Sequence, residues 1–119
     1  MGKDLEASGK TLIYGIHFDT GSAVIKPDSE TALAEMVKLL TTRPALRVFI
    51  VGHTDNAGAT DMNVKLSSAR ADALVTALAA KGVVASRLRA FGAGPFSPAA
   101  SNRDEKGRAQ NRRVELVEQ

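Results

Sequence analysis

LRVFIVGHTDNAG, residues 46–58, decides what fold this chain can adopt. Its first half is a run of β-branched and aromatic residues, apolar on both faces apart from Arg47. That is the composition of a central strand, covered on both sides. Its second half breaks into glycine, histidine, carboxylate and amide. A strand ending this way before a helix makes either a polar turn or a place where backbone and charge meet a ligand. Taken alone, Asp55 reads as an Asx turn or helix cap, and Gly52 and Gly58 permit positive φ or a close backbone approach.

On the N-terminal side, Pro27 with Asp28 and Glu30 opens a helix, since carboxylates favour its first turn. Leu33, Met36, Val37 and Leu40 follow at helical spacing, and Pro44 ends the element. Before it, LIYGIHF (12–18) alternates as a first strand, with Leu12, Tyr14, Ile16 and Phe18 on one face. DTGSAVI (19–25) is a loop, and residues 1–11 read as a linker or disordered end, which leaves 12–119 as the domain.

On the C-terminal side, a long helix over 61–81 is carried by Leu66, Ala69, Ala73, Leu74, Ala77 and Leu78, with Asp61 as its cap and Gly82 closing it. RLRAFGAG (87–94) is a third strand, and 96–110 is a polar connection with room for a short helical turn. RRVELVE (112–118) alternates as the last strand, placing Arg112, Val114 and Leu116 on one face and Arg113, Glu115 and Val117 on the other. The order βαβαββ predicts an α/β (α+β) two-layer sandwich, a mixed four-stranded sheet with two main helices on one face.

Composition narrows the function. The 119 residues suit one core, and 44% hydrophobic with 24% charged is a globular balance. No apolar run approaches the ~20 residues of a membrane helix, so the domain itself is not expected to insert. MGKDLEASGK lacks the apolar stretch of a signal peptide. The lack of cysteine removes disulfides, thiolate zinc sites and cysteine nucleophiles. A net charge of +3 with scattered basic residues, four Phe, one Tyr and no Trp argues against nucleic acid.

Four residues break the local pattern. Arg70 lies four positions from both Leu66 and Leu74, beside the apolar stripe, so its head must reach water or meet an anion. Asn63 lies two turns back on the same face. Arg112 shares a strand face with Val114 and Leu116, and Asp19 and Asp55 stand at two strand exits. Two carboxylates and two guanidiniums converging on one end of the sheet would complement a zwitterion. A second arrangement uses the two His-x-Asp stretches: His17, Asp19, His53 and Asp55 offer four ligands to a divalent ion, the basis of a metal-dependent hydrolase, whose substrate would be cell-wall peptides if the family resemblance below holds. Ser67 and Ser68 have no neighbouring histidine or nucleophile elbow, which disfavours serine catalysis.

VGHTDNAG, Asn63, LSSARAD (66–72), FGAG (91–94) and GRAQNRRVEL (107–116), with FDTGSAVIKP (18–27) at the front, together resemble the OmpA C-terminal domain. That domain is shared with peptidoglycan-associated lipoproteins and flagellar stator anchors. The resemblance runs from about Ile13 to Glu118 and implies a non-catalytic, cofactor-free domain that binds peptidoglycan non-covalently through the diaminopimelate of its stem peptide. It further implies the periplasm of a Gram-negative cell, in an envelope protein associated with the outer membrane. The key Asp of the family falls on Asp55, its helix Arg on Arg70, its intervening Asn on Asn63 and the first Arg of its NRRV motif on Arg112. Asp19 takes the position after the opening aromatic, while Thr54, Asn56 and Ala57 would add backbone or hydroxyl contacts. His53 becomes a brace for the loop, and the 95–106 connection offers no expectation of ligand contacts.

Overall fold

The computed structural model describes residues 1–119. Its elements are α1 (Gly2–Ser8), β1 (Lys10–Ile13), α2 (Glu30–Thr42), β2 (Val48–His53), α3 (Thr60–Ala80), β3 (Leu88–Gly94), α4 (Glu105–Asn111) and β4 (Val114–Glu118). The sheet order is β1-β4-β2-β3, with β2 and β3 parallel and the other pairs antiparallel. The sheet is therefore mixed and four-stranded, and β2 is central as its two-sided apolarity requires. Leu33, Met36 and Leu40 of α2 and Ala71, Leu74 and Leu78 of α3 share one core with Val48, Ile50, Val114 and Leu116. The two-layer sandwich follows. No helix is long and apolar enough to cross a membrane.

The seat of α3 on the sheet fixes the rest. A Cβ on Gly52 would collide with the carbonyl of Ser67, and one on Gly92 with the Ser68 amide. Main chain therefore meets main chain at the first half of α3, where the buried face is only Ser67 and Ala71. Leu74 and Leu78 widen the contact further along, so the buried stripe is Ser67, Ala71, Leu74 and Leu78. Leu66 and Ala73 are only partly covered and Ala69 is exposed, a rotation of the stripe from the sequence expectation. Small residues won because the glycines admit nothing larger.

Three other expectations are corrected. Residues 1–11 are not a linker: α1 buries Leu5 in the core, and β1 begins at Lys10. The first strand stops at Ile13 and buries Thr11 and Ile13, leaving Leu12 and Tyr14 outward, opposite to the expected face. Pairing with β4, from Lys10↔Val117 to Ile13↔Val114, sets this register, and Phe18 makes only an isolated bridge to Ile25. The last strand starts at Val114, so Arg112 lies before it at the end of α4 and is exposed rather than on the core face.

Candidate ligand-binding site

Asp55 leaves the end of β2 into a loop that is tied on three sides. Its Oδ1 accepts the Ala57 amide at 3.0 Å, closing an Asx turn. The Thr54 hydroxyl donates to the Asp55 carbonyl at 2.8 Å, and the Thr54 amide to the Gly94 carbonyl at 3.0 Å. Asn63, in the first turns of α3, donates its side-chain amide to the Ala57 carbonyl at 2.9 Å. Ser67 completes the scaffold by accepting the Gly94 amide at 3.0 Å, which joins α3 to β3 and so to Thr54. A bulge in the β2–β3 register, where His53 pairs Gly94, releases this loop from the sheet. Asp61 does not cap α3; Ala59 holds that position and Asp61 binds the Met62 amide.

Arg112 comes to this loop from the other side. Its Nη1 donates to Asp55 Oδ2 at 2.8 Å, with the Asp55 side chain only 13% exposed. The same guanidinium grips Glu105, at 2.6 Å from Nη2 and 3.4 Å from Nη1. These bonds, to Glu105 first and Asp55 second, raise the Arg112 guanidinium above its ordinary value and lower the Glu105 carboxyl.

Arg70 is half-buried. Its Nε donates to the Ser22 carbonyl at 2.8 Å and its Nη2 to the Asp19 carbonyl at 3.1 Å, with the guanidinium 4.8 Å from the centre of the Phe18 ring. Nη1 donates to nothing in the chain. Burial lowers this guanidinium from its ordinary value, and the Asp55 charge opposes that. A cation with one free donor, partly stripped of water and within the field of the Asp55 carboxylate, is a ready anion contact.

Asp55, Asn63, Arg70 and Arg112 are thus brought to one end of the sheet, with Thr54 buried beneath the loop and Asn56 and Ala57 exposed on it. Asp19 joins only through its main chain. Its exposed carboxylate turns to Lys26, 3.3 Å away. Glu105 is the residue that sequence reasoning missed. Asp104 caps α4 through the Gly107 amide at 2.8 Å, so the D-E-x-G spacing carries a helix-start signal that would have placed Glu105 one α4 length before Arg112.

The four candidate metal ligands do not converge. No three His, Asp or Glu side chains stand close enough to hold an ion. His17 is exposed and bound through its main chain to Ser29 and Lys26, whereas His53 is buried on the opposite sheet face from α2 and α3.

That face holds a second charged cluster. Glu115 takes Arg113 at 2.7 Å, while His53 Nε2 and Lys10 Nζ stand 3.6 and 3.7 Å from its other oxygen. Arg113 also donates to the Ser97 carbonyl at 2.9 Å, so the 95–101 segment folds over this face. The His53 main-chain amide donates to the Arg113 carbonyl at 2.9 Å, and neither nitrogen of its buried ring has a hydrogen-bond partner.

Burial and the Arg113 charge lower the His53 imidazole from the ordinary 6.5, with Glu115 opposing. The folded ring resists a proton that the unfolded chain accepts as pH falls through 6.5, so acidification below that value favours unfolding. We predict that stability declines from there downward, by at most about 1.4 kcal/mol per pH unit for one proton. Denaturant titrations of wild type and His53→Gln across this range check it; parallel curves would remove His53 as the cause.

Residues 17–112 match the model of the OmpA family. The chain is 40% identical to Probable lipoprotein YiaD of Escherichia coli, over 98% of its own length and 55% of that protein's. It is 36% identical to Peptidoglycan-binding protein ArfA of Mycobacterium tuberculosis, over 96% of its own length and 35% of that protein's. It therefore spans about half, or less, of these relatives. The crystal structure of the peptidoglycan-associated lipoprotein from Burkholderia pseudomallei superposes with a TM-score of 0.76 at 31% identity, covering 95% of this chain and 92% of that one.

Proposed function

The chain belongs to the OmpA family, and from that premise we propose that it binds peptidoglycan non-covalently, through the diaminopimelate of the stem peptide, and performs no chemistry. The observation that carries this reading is the meeting of Asp55, Arg70 and Arg112 at one rim, with a free donor on Arg70. The distal end of diaminopimelate is an ammonium and a carboxylate on one carbon. Asp55 neutralises the ammonium, and the two guanidiniums take the carboxylate. Asn63 and Thr54 hold the loop in shape, Asn56 and Ala57 line its exposed edge, and Asp19 positions Arg70 through its carbonyl.

The names of two relatives, a peptidoglycan-binding protein and a peptidoglycan-associated lipoprotein, support the same ligand. The working location is the periplasm of a Gram-negative cell, where the domain anchors an envelope protein associated with the outer membrane to the wall. A polymeric wall presents many stem peptides, so avidity lets a modest single-site affinity suffice.

Calorimetric titration with a stem tripeptide containing meso-diaminopimelate, against one with lysine in its place, tests this. Lysine lacks the distal carboxylate, and losing its charge-assisted bonds should weaken binding about 10- to 100-fold. Equal affinity for the two peptides, or no binding of either, would end the diaminopimelate assignment.

A further inference from the structure

Arg112 meets its surroundings with both terminal nitrogens occupied, and its two carboxylate partners are held very differently. Asp55 is 13% exposed and fixed by the Ala57 amide. The Glu105 side chain is 64% exposed and touches only arginines, Arg112 and, at 3.4 Å, Arg108. Its main chain is tethered at both ends of α4. Asp104 caps α4, a Cβ on Gly107 would collide with the Ser101 carbonyl, and buried Asn111 ties the amides of Ala99 and Ala100 at 2.7 and 2.9 Å. Glu105 therefore stands over the fork of Arg112 on a rigid base, with a head that can swing into water at little cost. With Glu105 seated, two guanidiniums face two carboxylates; with it out, the rim carries an excess positive charge and Nη2 of Arg112 is released, while Nη1 stays on Asp55.

We propose that Glu105 is a built-in competitor for the ligand's carboxylate, a residue that sets affinity because it must be displaced from Arg112. This rests on the diaminopimelate reading of the site. A free distal carboxylate can take over the fork side-on, as Glu105 does, because Arg presents paired donors in a plane. A distal carboxamide carries no charge and cannot match it. Glu105 thereby lowers the affinity of the ligand that must evict it, and a ligand that leaves it seated forgoes the fork.

The test is Glu105→Gln, which keeps shape and removes charge, titrated calorimetrically with the meso-diaminopimelate stem tripeptide in free and distally amidated forms. Exposed ion pairs are weak and screened, so the expected gain in affinity for the free acid is about two- to fivefold, shrinking as salt is added. The amidated peptide, which leaves Glu105 on the fork, should gain less, so that the ratio of the two affinities widens; equal gains by the two peptides would mean that Glu105 does not compete with the carboxylate. A second readout follows the wild-type Glu105 carboxyl by carbon-detected NMR. It should titrate below the usual glutamate range in the free protein and return to that range on saturation with the free-acid peptide. Weaker binding by Glu105→Gln would mean that Glu105 holds the ligand ammonium, and unchanged binding with no NMR shift would mean that it does nothing; either result overturns the proposal. If the wild type binds neither peptide, the diaminopimelate reading falls and this inference with it, whereas binding by wild type that ignores Glu105 removes the inference alone.

Discussion

Arg70→Ala should reduce retention on diaminopimelate-type sacculi to background. Removing one partner of a desolvated, hydrogen-bonded charge contact costs about 2–5 kcal/mol. Arg70 is only half-buried, so the lower part of that range applies, roughly thirty- to a hundredfold in affinity. Two effects combine in the loss. On the proposed reading the ligand carboxylate loses its most available donor, and the 19–22 loop loses the guanidinium that ties its Asp19 and Ser22 carbonyls over Phe18. Arg70→Lys separates them: it restores a charge but not the fork, and should recover only part of the binding. Co-sedimentation with purified sacculi measures both variants, with thermal melting as the control for folding. A folded Arg70→Ala protein that still binds within twofold of wild type would remove Arg70 from the site.

Glu115→Ala should be the most destabilising of the polar substitutions. Arg113 and Glu115 are 3% and 6% exposed in their side chains, and Arg113 has no other charge partner. Taking one member from a buried pair strands the other, at a cost of about 3–5 kcal/mol. That is a large share of the 5–15 kcal/mol typical of a domain. The double change Arg113→Met with Glu115→Leu should cost far less, because an apolar pair of similar volume leaves no stranded charge. Denaturant unfolding measures all three. A cost below about 1 kcal/mol for Glu115→Ala would mean that water reaches the pair in solution, as at exposed bridges.

The contrast between these two arginines shows what a sequence exposes and what it hides. Arg70 was visible because a cation beside a helical apolar stripe is a local contradiction. Asp55 and Arg112 were visible by position, although Arg112 reaches the site from the end of α4 and not from a strand face. Arg113 and Glu115 were hidden because they satisfy the alternation that places polar residues outside. Only the return of the 95–101 segment over that face buries them, and no residue near 113 announces it. The bounds of α2 and α3 followed from long periodic stretches, with Pro27 and Gly82 marking their limits. The phase of β1 did not, since both of its faces carry apolar residues and only pairing with β4 chooses between them. α1 lay below detection because a single leucine anchors it.

The contact of Gly52 and Gly92 with Ser67 and Ser68 has a consequence for anyone reshaping this binding domain. Asp55 follows Gly52 by three residues, and Arg70 follows Ser67 by three. One junction between two backbones thus sets the gap between Asp55 and Arg70, and the Cβ atoms of residues 52 and 92 are missing from it. The apolar interior beyond, around Leu74 and Leu78, lies outside that junction. Conversely, the smallest possible enlargement at residue 52 or 92 works as a shim between Asp55 and Arg70, and on the proposed reading of the site it would alter recognition from beneath the rim.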